Sequence, residues 1–140
     1  MAHSITDLSE EALQLLSEYH LGTLTTMRRD GTPHVVAVGF TVDPESGVAR
    51  VITSRFSQKA VNAARGGRAV VANVDGRRWL SLEGRAELWT DADAVAEGER
   101  WYARRYRVPR PNPRRAVVAI RVDRVLGSRA MFSQDDKDWS

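Results

Sequence analysis

The sequence predicts a mainly-β fold, an antiparallel barrel of six strands decorated by three helices. Two hairpin signals and one rarity carry that prediction. Asp30-Gly31 and Asp75-Gly76 each stand between β-rich runs, and Asp-Gly between such runs is a strong hairpin signal. Only one helix-sized segment interrupts the early strand series, whereas a doubly wound parallel sheet needs a crossover after each strand.

Taken in order, Ser9 followed by Glu10 and Glu11 marks a helix start, with acids at the positive end of the helix dipole. Leu13, Leu16 and Tyr19 then recur at helical spacing, so a short amphipathic helix is expected over residues 9–19. Residues 21–27 are extended and threonine-rich. After the Asp-Gly turn, Pro33 opens the run HVVAVGFTV, apolar at nearly every position and therefore expected to be covered on both sides. Pro44 and Gly47 turn the chain into a third strand over 48–53. A short helix starts at Ser57 and stops at Gly66, followed by a strand over 69–74. In WLSLEGRAEL, Leu80, Leu82, Ala86 and Leu88 alternate with Trp79, Ser81, Glu83, Arg85 and Glu87, the period of a two-faced strand. A helix over 92–107 ends where three prolines in VPRPNPRR remove backbone donors. The sixth strand spans 116–126, with Val118, Ile120 and Val122 set against Arg121 and Asp123.

The chain has 140 residues, 42% hydrophobic and 28% charged, with a formal charge of +3. That bounds it to one globular domain, 1–140, with a polar tail over 129–140 expected to be loose. No cysteine is present, which excludes disulfides and thiol chemistry and fits a reducing cytoplasm. No run approaches the roughly 18 apolar residues of a membrane span, and the first eleven residues lack a signal-peptide pattern. His3, His20 and His34 have no ligand-like spacing, so no metal site is expected. Nucleophile elbows, Walker loops and strand-linked glycine fingerprints are all missing, so any catalysis here falls to a bound cofactor.

The strongest local site signal is SRFSQKAVNAARGG, residues 54–67. Ser57 sits at the N-cap and Lys59 in the first turn; Lys59 is one of two lysines beside nineteen arginines. With Arg55 and the hydroxyls of Thr53, Ser54 and Ser57, the segment reads either as a phosphate cradle or as an ordinary capped helix with a solvent-facing lysine. Trp79, behind Arg77 and Arg78, either stacks on a planar ligand or covers a barrel end. Six arginines fall within residues 104–115, with Tyr102 and Tyr106 nearby. They suit the carboxylates of a small anionic ligand or a dimer edge; no nucleic-acid fold motif accompanies them, so nucleic acid is not expected as a partner.

Together, LGTLTT, DGTPHVVAVGF, ARVIT, SQKAVNA, RWLSLEGRA, RYRVPRPNPRR and RVLGS, in this order across residues 9–128, resemble the pyridoxamine 5'-phosphate oxidase-like split β-barrel flavoproteins. Within that superfamily the chain is similar to branch B of the flavin/deazaflavin oxidoreductases of actinobacteria. The resemblance implies a six-stranded split barrel that forms a homodimer with two cofactor grooves. It implies coenzyme F420 as cofactor, with FMN as the alternative. The coenzyme phosphate would lie on Lys59, with Ser57, Gln58, Thr53 and Ser54 around it. The backbone of His34, Val35, Val36, Ala37 and Val38 would line the deazaflavin ring, Arg77, Arg78 and Trp79 would close the groove, and Arg65 would reach the anionic tail. Arg110, Arg114 and Arg115 would meet substrate carboxylates or that tail. The implied reaction is hydride transfer to a conjugated substrate such as the tetrapyrrole biliverdin; a non-catalytic cofactor or tetrapyrrole carrier on the same barrel is the other reading. Ser54 to Phe56 is bulkier than the small-residue loop of that branch.

Overall fold

The computed structural model describes residues 3–133. Its helices are α1 (Glu10–Ser17), α2 (Gln58–Ala64) and α3 (Ala92–Arg105). Its strands are β1 (Gly22–Met27), β2 (Pro33–Val38), β3 (Thr41–Asp43), β4 (Val48–Ser54), β5 (Arg68–Asp75), β6 (Arg78–Trp89) and β7 (Arg115–Gly127). All pairings are antiparallel, in one sheet of order β2-β1-β5-β6-β7-β4-β3. The mainly-β antiparallel prediction holds.

The strand count is seven rather than six, because the HVVAVGFTV run breaks at Gly39 and Phe40. Phe40 drives its ring into the core, fully buried. Its N–H is taken by the Tyr106 hydroxyl at 3.1 Å, and its carbonyl accepts from Arg105 Nη1 at 2.7 Å. The backbone groups that would continue a ladder are thus claimed by the end of α3. As a result, the first and last strands of the sheet, β2 and β3, follow one another in the chain. The two edges meet through two residues, not through inter-strand hydrogen bonds, and this is the split of the barrel.

The expected alternation of β6 is present: Leu80, Leu82 and Ala86 are buried in the barrel while Trp79 and Arg85 are exposed. A bulge between Glu83 and Gly84 sits where a Cβ on Gly84 would overlap the Arg121 carbonyl. Two-sided burial falls on β7, not on β2. Val118 and Ile120 join the barrel core, whereas Val117 and Ala119 pack on the other face with Val48. Gly98 of α3 crosses there, so close that a Cβ would lie 2.7 Å from Val117 Cγ2. On β2, Val36 packs against the core, but Val35 is 58% exposed, so the outer face of that strand is uncovered in the single chain.

α3 is fastened across this second face by alternating guanidinium and indole groups. Arg104 lies 4.7 Å from Trp101, Arg50 lies 5.8 Å from Trp101 and 5.7 Å from Trp89, and Arg121 lies 5.6 Å from Trp89. α1 is capped as read, Ser9 Oγ accepting the Ala12 N–H at 3.1 Å. Residues 129–133, assigned to a tail from sequence, are packed: Arg129–Met131 forms a 3-10 turn, Met131 is buried, and Phe132 stacks on His3 at 3.8 Å. The rest of that assignment, residues 134–140, lies outside the described residues. Among the described residues, no helix is long and apolar enough to cross a membrane.

Candidate cofactor groove at the seam

α2 is short, and its position depends on polar anchoring. Ser57 Oγ accepts the Ala60 N–H at 3.3 Å and shares a 2.9 Å hydrogen bond with Thr53 Oγ1, tying the helix start to the end of β4. At the other end the buried Asn62 donates to Thr26 Oγ1 at 2.9 Å and accepts from Gln58 Nε2 at 2.7 Å and Arg65 Nη2 at 2.9 Å. Arg65 also donates to the Met27 carbonyl at 2.8 Å. Buried amides persist only when satisfied, and this network is satisfied by β1.

The opposite wall comes from α3 and the proline-rich loop behind it. Arg105 is only 6% exposed, yet it donates to the carbonyls of Glu18 (2.7 Å), Phe40 (2.7 Å) and Leu15 (3.3 Å) and to Asn73 Oδ1 (2.8 Å). The loop is pinned by Asn112, whose Nδ2 donates to Ser54 Oγ at 3.0 Å and whose Oδ1 accepts the Arg114 N–H at 2.9 Å. Between these walls, at the seam, lies an open groove of about 360 Å³. Ala37, Val38, Gly39, Ile52, Thr53, Lys59, Tyr102, Arg107, Pro109, Arg110 and Arg115 line it. Four of these are cations and none is a carboxylate. Among the described residues, the one acid joined to the set is Glu99, which accepts from Arg115 Nη1 at 2.7 Å.

Of the residues singled out in the sequence, the structure brings Ala37, Val38, Thr53, Lys59, Arg110 and Arg115 together in this groove. Ser57 adjoins it through Thr53. The Ser54 hydroxyl is spent on the loop, and Gln58 and Arg65 line a separate shallow depression with Arg28, Arg29, Asp30 and Val61. His34 sits near Lys59 and Arg28; burial, then these two charges, lower its pKa, so the ring is neutral at pH 7. Its Nδ1 is buried without a partner. Val35 is exposed outside the sheet, and Val36 turns inward. Arg77, Arg78, Trp79 and Arg114 do not line the groove in the single chain. Arg78 is held instead by Glu18, at 2.9 and 3.3 Å, and by Asp75. The Arg78 hydrogen bond holds the Glu18 carboxyl down to about 2.

Gly39 and Ile52 were not read as site residues, and Tyr102, Arg107 and Pro109 were noted only within or beside the arginine cluster. A glycine inside an apolar β-run signals a close backbone approach, and a Cβ there would fall 3.0 Å from Tyr106 and 3.1 Å from Tyr102. A second cleft, about 320 Å³ between α1, β3 and α3, is walled mainly by Leu13, Leu16, Val42, Pro44 and Trp101; Ser17, Thr41, Arg104 and Arg105 complete it, two cations against the four of the groove.

The groove fits an anionic cofactor on its own chemistry. It concentrates positive charge on a lining that holds no carboxylate. A split antiparallel barrel with a cation-lined groove at its seam is the architecture of cofactor-binding oxidoreductase barrels, and the family comparison agrees. Residues 8–129 match the model of the pyridoxamine 5'-phosphate oxidase family, and the chain belongs to that family. Over 134 residues it is 61% identical to the F420H(2)-dependent biliverdin reductase of Mycobacterium tuberculosis (strain CDC 1551 / Oshkosh), covering 96% of this chain and 98% of that one. Among solved structures, it is similar to the conserved hypothetical protein Rv2991 from Mycobacterium tuberculosis, with a TM-score of 0.71 and 28% identity over 90% of this chain and 89% of that one. It is also similar to an F420 reductase, with a TM-score of 0.68 and 26% identity over 85% of this chain and 98% of that one. The family resemblance carried by the sequence motifs is borne out.

Proposed function

We propose that this protein is a coenzyme F420-dependent oxidoreductase that reduces biliverdin to bilirubin. The observation that carries the reading is 61% identity, along nearly the whole of both chains, to an F420H(2)-dependent biliverdin reductase. The cation-lined groove supports it independently. When bound, the reduced deazaflavin supplies the hydride.

The chain's own residues supply binding and orientation. The Lys59 ammonium and the Thr53 and Ser57 hydroxyls hold the coenzyme phosphate. The backbone at Ala37, Val38 and Gly39 flanks the ring, and the missing side chain of Gly39 leaves room beside Tyr102. Arg107 and Arg110, exposed along the groove, attract anionic groups of coenzyme and substrate.

The protein acts as a homodimer in this reading. The outer face of β2, β1, β5 and β6 is covered by no helix and presents Val35, Val74 and Trp79, which are 58%, 76% and 39% exposed. A second copy on that face would bring its own Trp79 and Arg77 toward the groove. We place the activity in the cytoplasm, as a cysteine-free chain allows.

Side-by-side titration of the purified protein with F420 and FMN, followed by turnover with biliverdin, tests the proposal. Tight F420 binding with bilirubin formed is expected. Preferential FMN binding would move the protein to the FMN-dependent reading of the same barrel, and binding without turnover would make it a carrier.

A further inference from the structure

The apolar cleft between α1, β3 and α3 plays no part in the reading of the groove. Leu13, Leu16, Val42, Pro44 and Trp101 wall its roughly 320 Å³, and Leu13 is left 39% exposed. An apolar concavity of this size, uncovered in the single chain, marks a place for an occupant. Arg104, which also lines it, lies 4.7 Å from the Trp101 ring and pairs with no carboxylate among the described residues. No acid lines the cleft either. The occupant this chemistry asks for is a large apolar group flanked by negative charge.

The chain itself carries such a group. The seven residues that follow Ser133 read QDDKDWS, three aspartates against one lysine with a tryptophan at 139. Their starting point is fixed by the fold. Ser133 donates its N–H to the Asp7 carbonyl at 3.0 Å, and Phe132 bridges to Leu8, just before α1. Ser133 and Phe132 share a depression with Ser9, the N-cap of α1. Ser9, Leu13 and Leu16 are spaced four and three residues apart, so they lie along one face of the helix. That face runs from the depression at Ser133 to the cleft. From Leu8 to Leu16 the helix rises about 12 Å, whereas residues 134–139 span about 20 Å when extended. The reach is sufficient, with slack for a turn.

We propose that the apolar cleft is the docking site of the chain's own segment 134–140, which returns along this face of α1 to seat Trp139 against Leu13, Leu16 and Trp101 and to set its aspartates near Arg104. The segment then braces α1 against α3 from outside, across the two helices that Arg105 joins from within through the Leu15 and Glu18 carbonyls. This is independent of what the groove binds. A second copy of the chain is the rival occupant, and the test separates the two.

The test uses the 140-residue protein and the anionic apolar dye anilinonaphthalene sulfonate, with Trp139→Ala to empty the cleft and Leu13→Glu to spoil it. Wild type is expected to bind little dye. Trp139→Ala should raise dye fluorescence about threefold or more, because burial of a large apolar side chain favours the filled cleft by about tenfold or more. Combining Trp139→Ala with Leu13→Glu should return the signal to the wild-type level. A synthetic QDDKDWS peptide at about 1 mM, the effective concentration of a short tether, should displace the dye from Trp139→Ala, and the same peptide with alanine in place of tryptophan should not. Dye fluorescence equal in wild type and Trp139→Ala overturns the proposal, and so does a rise that survives Leu13→Glu, which puts the dye elsewhere. A Trp139→Ala chain whose oligomeric state changes by light scattering overturns it in favour of a second copy. If the variants carrying Leu13→Glu do not fold, the peptide displacement decides alone, and failure of QDDKDWS to compete refutes the docking.

Discussion

Replacing Arg105 with Met should destabilise the protein far more than any change to its neighbour Arg104. Among the described residues Arg105 is the only buried charged side chain, and four acceptors depend on it: the carbonyls of Leu15, Glu18 and Phe40, and Asn73 Oδ1. Methionine fills most of the volume but offers no donor. The Tyr106 hydroxyl, whose single hydrogen goes chiefly to the His20 carbonyl at 2.7 Å, also lies 3.2 Å from the Phe40 carbonyl, which is therefore only partly served. The Leu15 and Glu18 carbonyls also accept the Glu18 and His20 N–H groups, at 3.3 and 2.8 Å. Asn73 Oδ1 has no other donor among its hydrogen bonds described above. One acceptor fully stranded and three partly so, at about 1–3 kcal/mol for each complete loss, put the cost at about 3–5 kcal/mol, within the range for breaking a buried charged network. Against a total stability of about 5–15 kcal/mol, that is enough to lower the urea midpoint severely. The assay is equilibrium urea unfolding followed by tryptophan fluorescence, with Arg104→Ala as the comparison. Arg104 is exposed and stacks on Trp101, so its loss should cost about 0.5–1 kcal/mol. A loss below about 1 kcal/mol for Arg105→Met, or parity between the two variants, would refute the claim that this side chain holds the seam.

Three other outcomes are expected from the same structure. Lys59→Ala should weaken the bound coenzyme about tenfold or more, read by fluorescence titration; unchanged affinity would remove the ammonium from the phosphate site. Glu18 has a folded pKa of about 2 against 4.5 for the free group, so its contribution to stability is present above pH 4.5 and is lost as the pH falls toward 2. Urea midpoints measured at descending pH should therefore fall less steeply through that window in Glu18→Gln than in wild type, and identical slopes would contradict the Arg78 pairing. Val35→Glu puts a charge on the uncovered outer face of β2, so light scattering should show the proposed dimer shifted to monomer without loss of the β-rich circular dichroism; a dimer that survives unchanged would place the interface elsewhere.

Most of the strand plan was legible because local chemistry fixes it. Asp30-Gly31 turns between β1 and β2 with Gly31 at φ 87°, and Gly76 turns between β5 and β6 at φ 61°. Ser9 and Ser57 both cap the helices they were assigned to. β3 was not legible, since the break that creates it is imposed on Phe40 by Arg105 and Tyr106, more than sixty residues away. The arginine cluster shows the same limit. Arg105, Arg110, Arg114 and Arg115 look alike in sequence, yet one is buried in structure, two line the groove and one lies outside it. Lys59 and Thr53 could be found because they sit at a capped helix start and the strand end before it, a clear local signature; Val38 came only through the family resemblance.

The join at Gly39 and Phe40 has a mechanical consequence. A cylinder laced all round by a ladder cannot change girth without tearing several rungs at once. Here the circumference is stitched at one place by main chain and by a few side-chain tethers from α3, so the slit can gape or narrow while every pair of neighbouring strands stays in register. Ligand size is thus governed where the wall is softest, and swapping the tethers, rather than the pleated wall, is the economical route to a different guest.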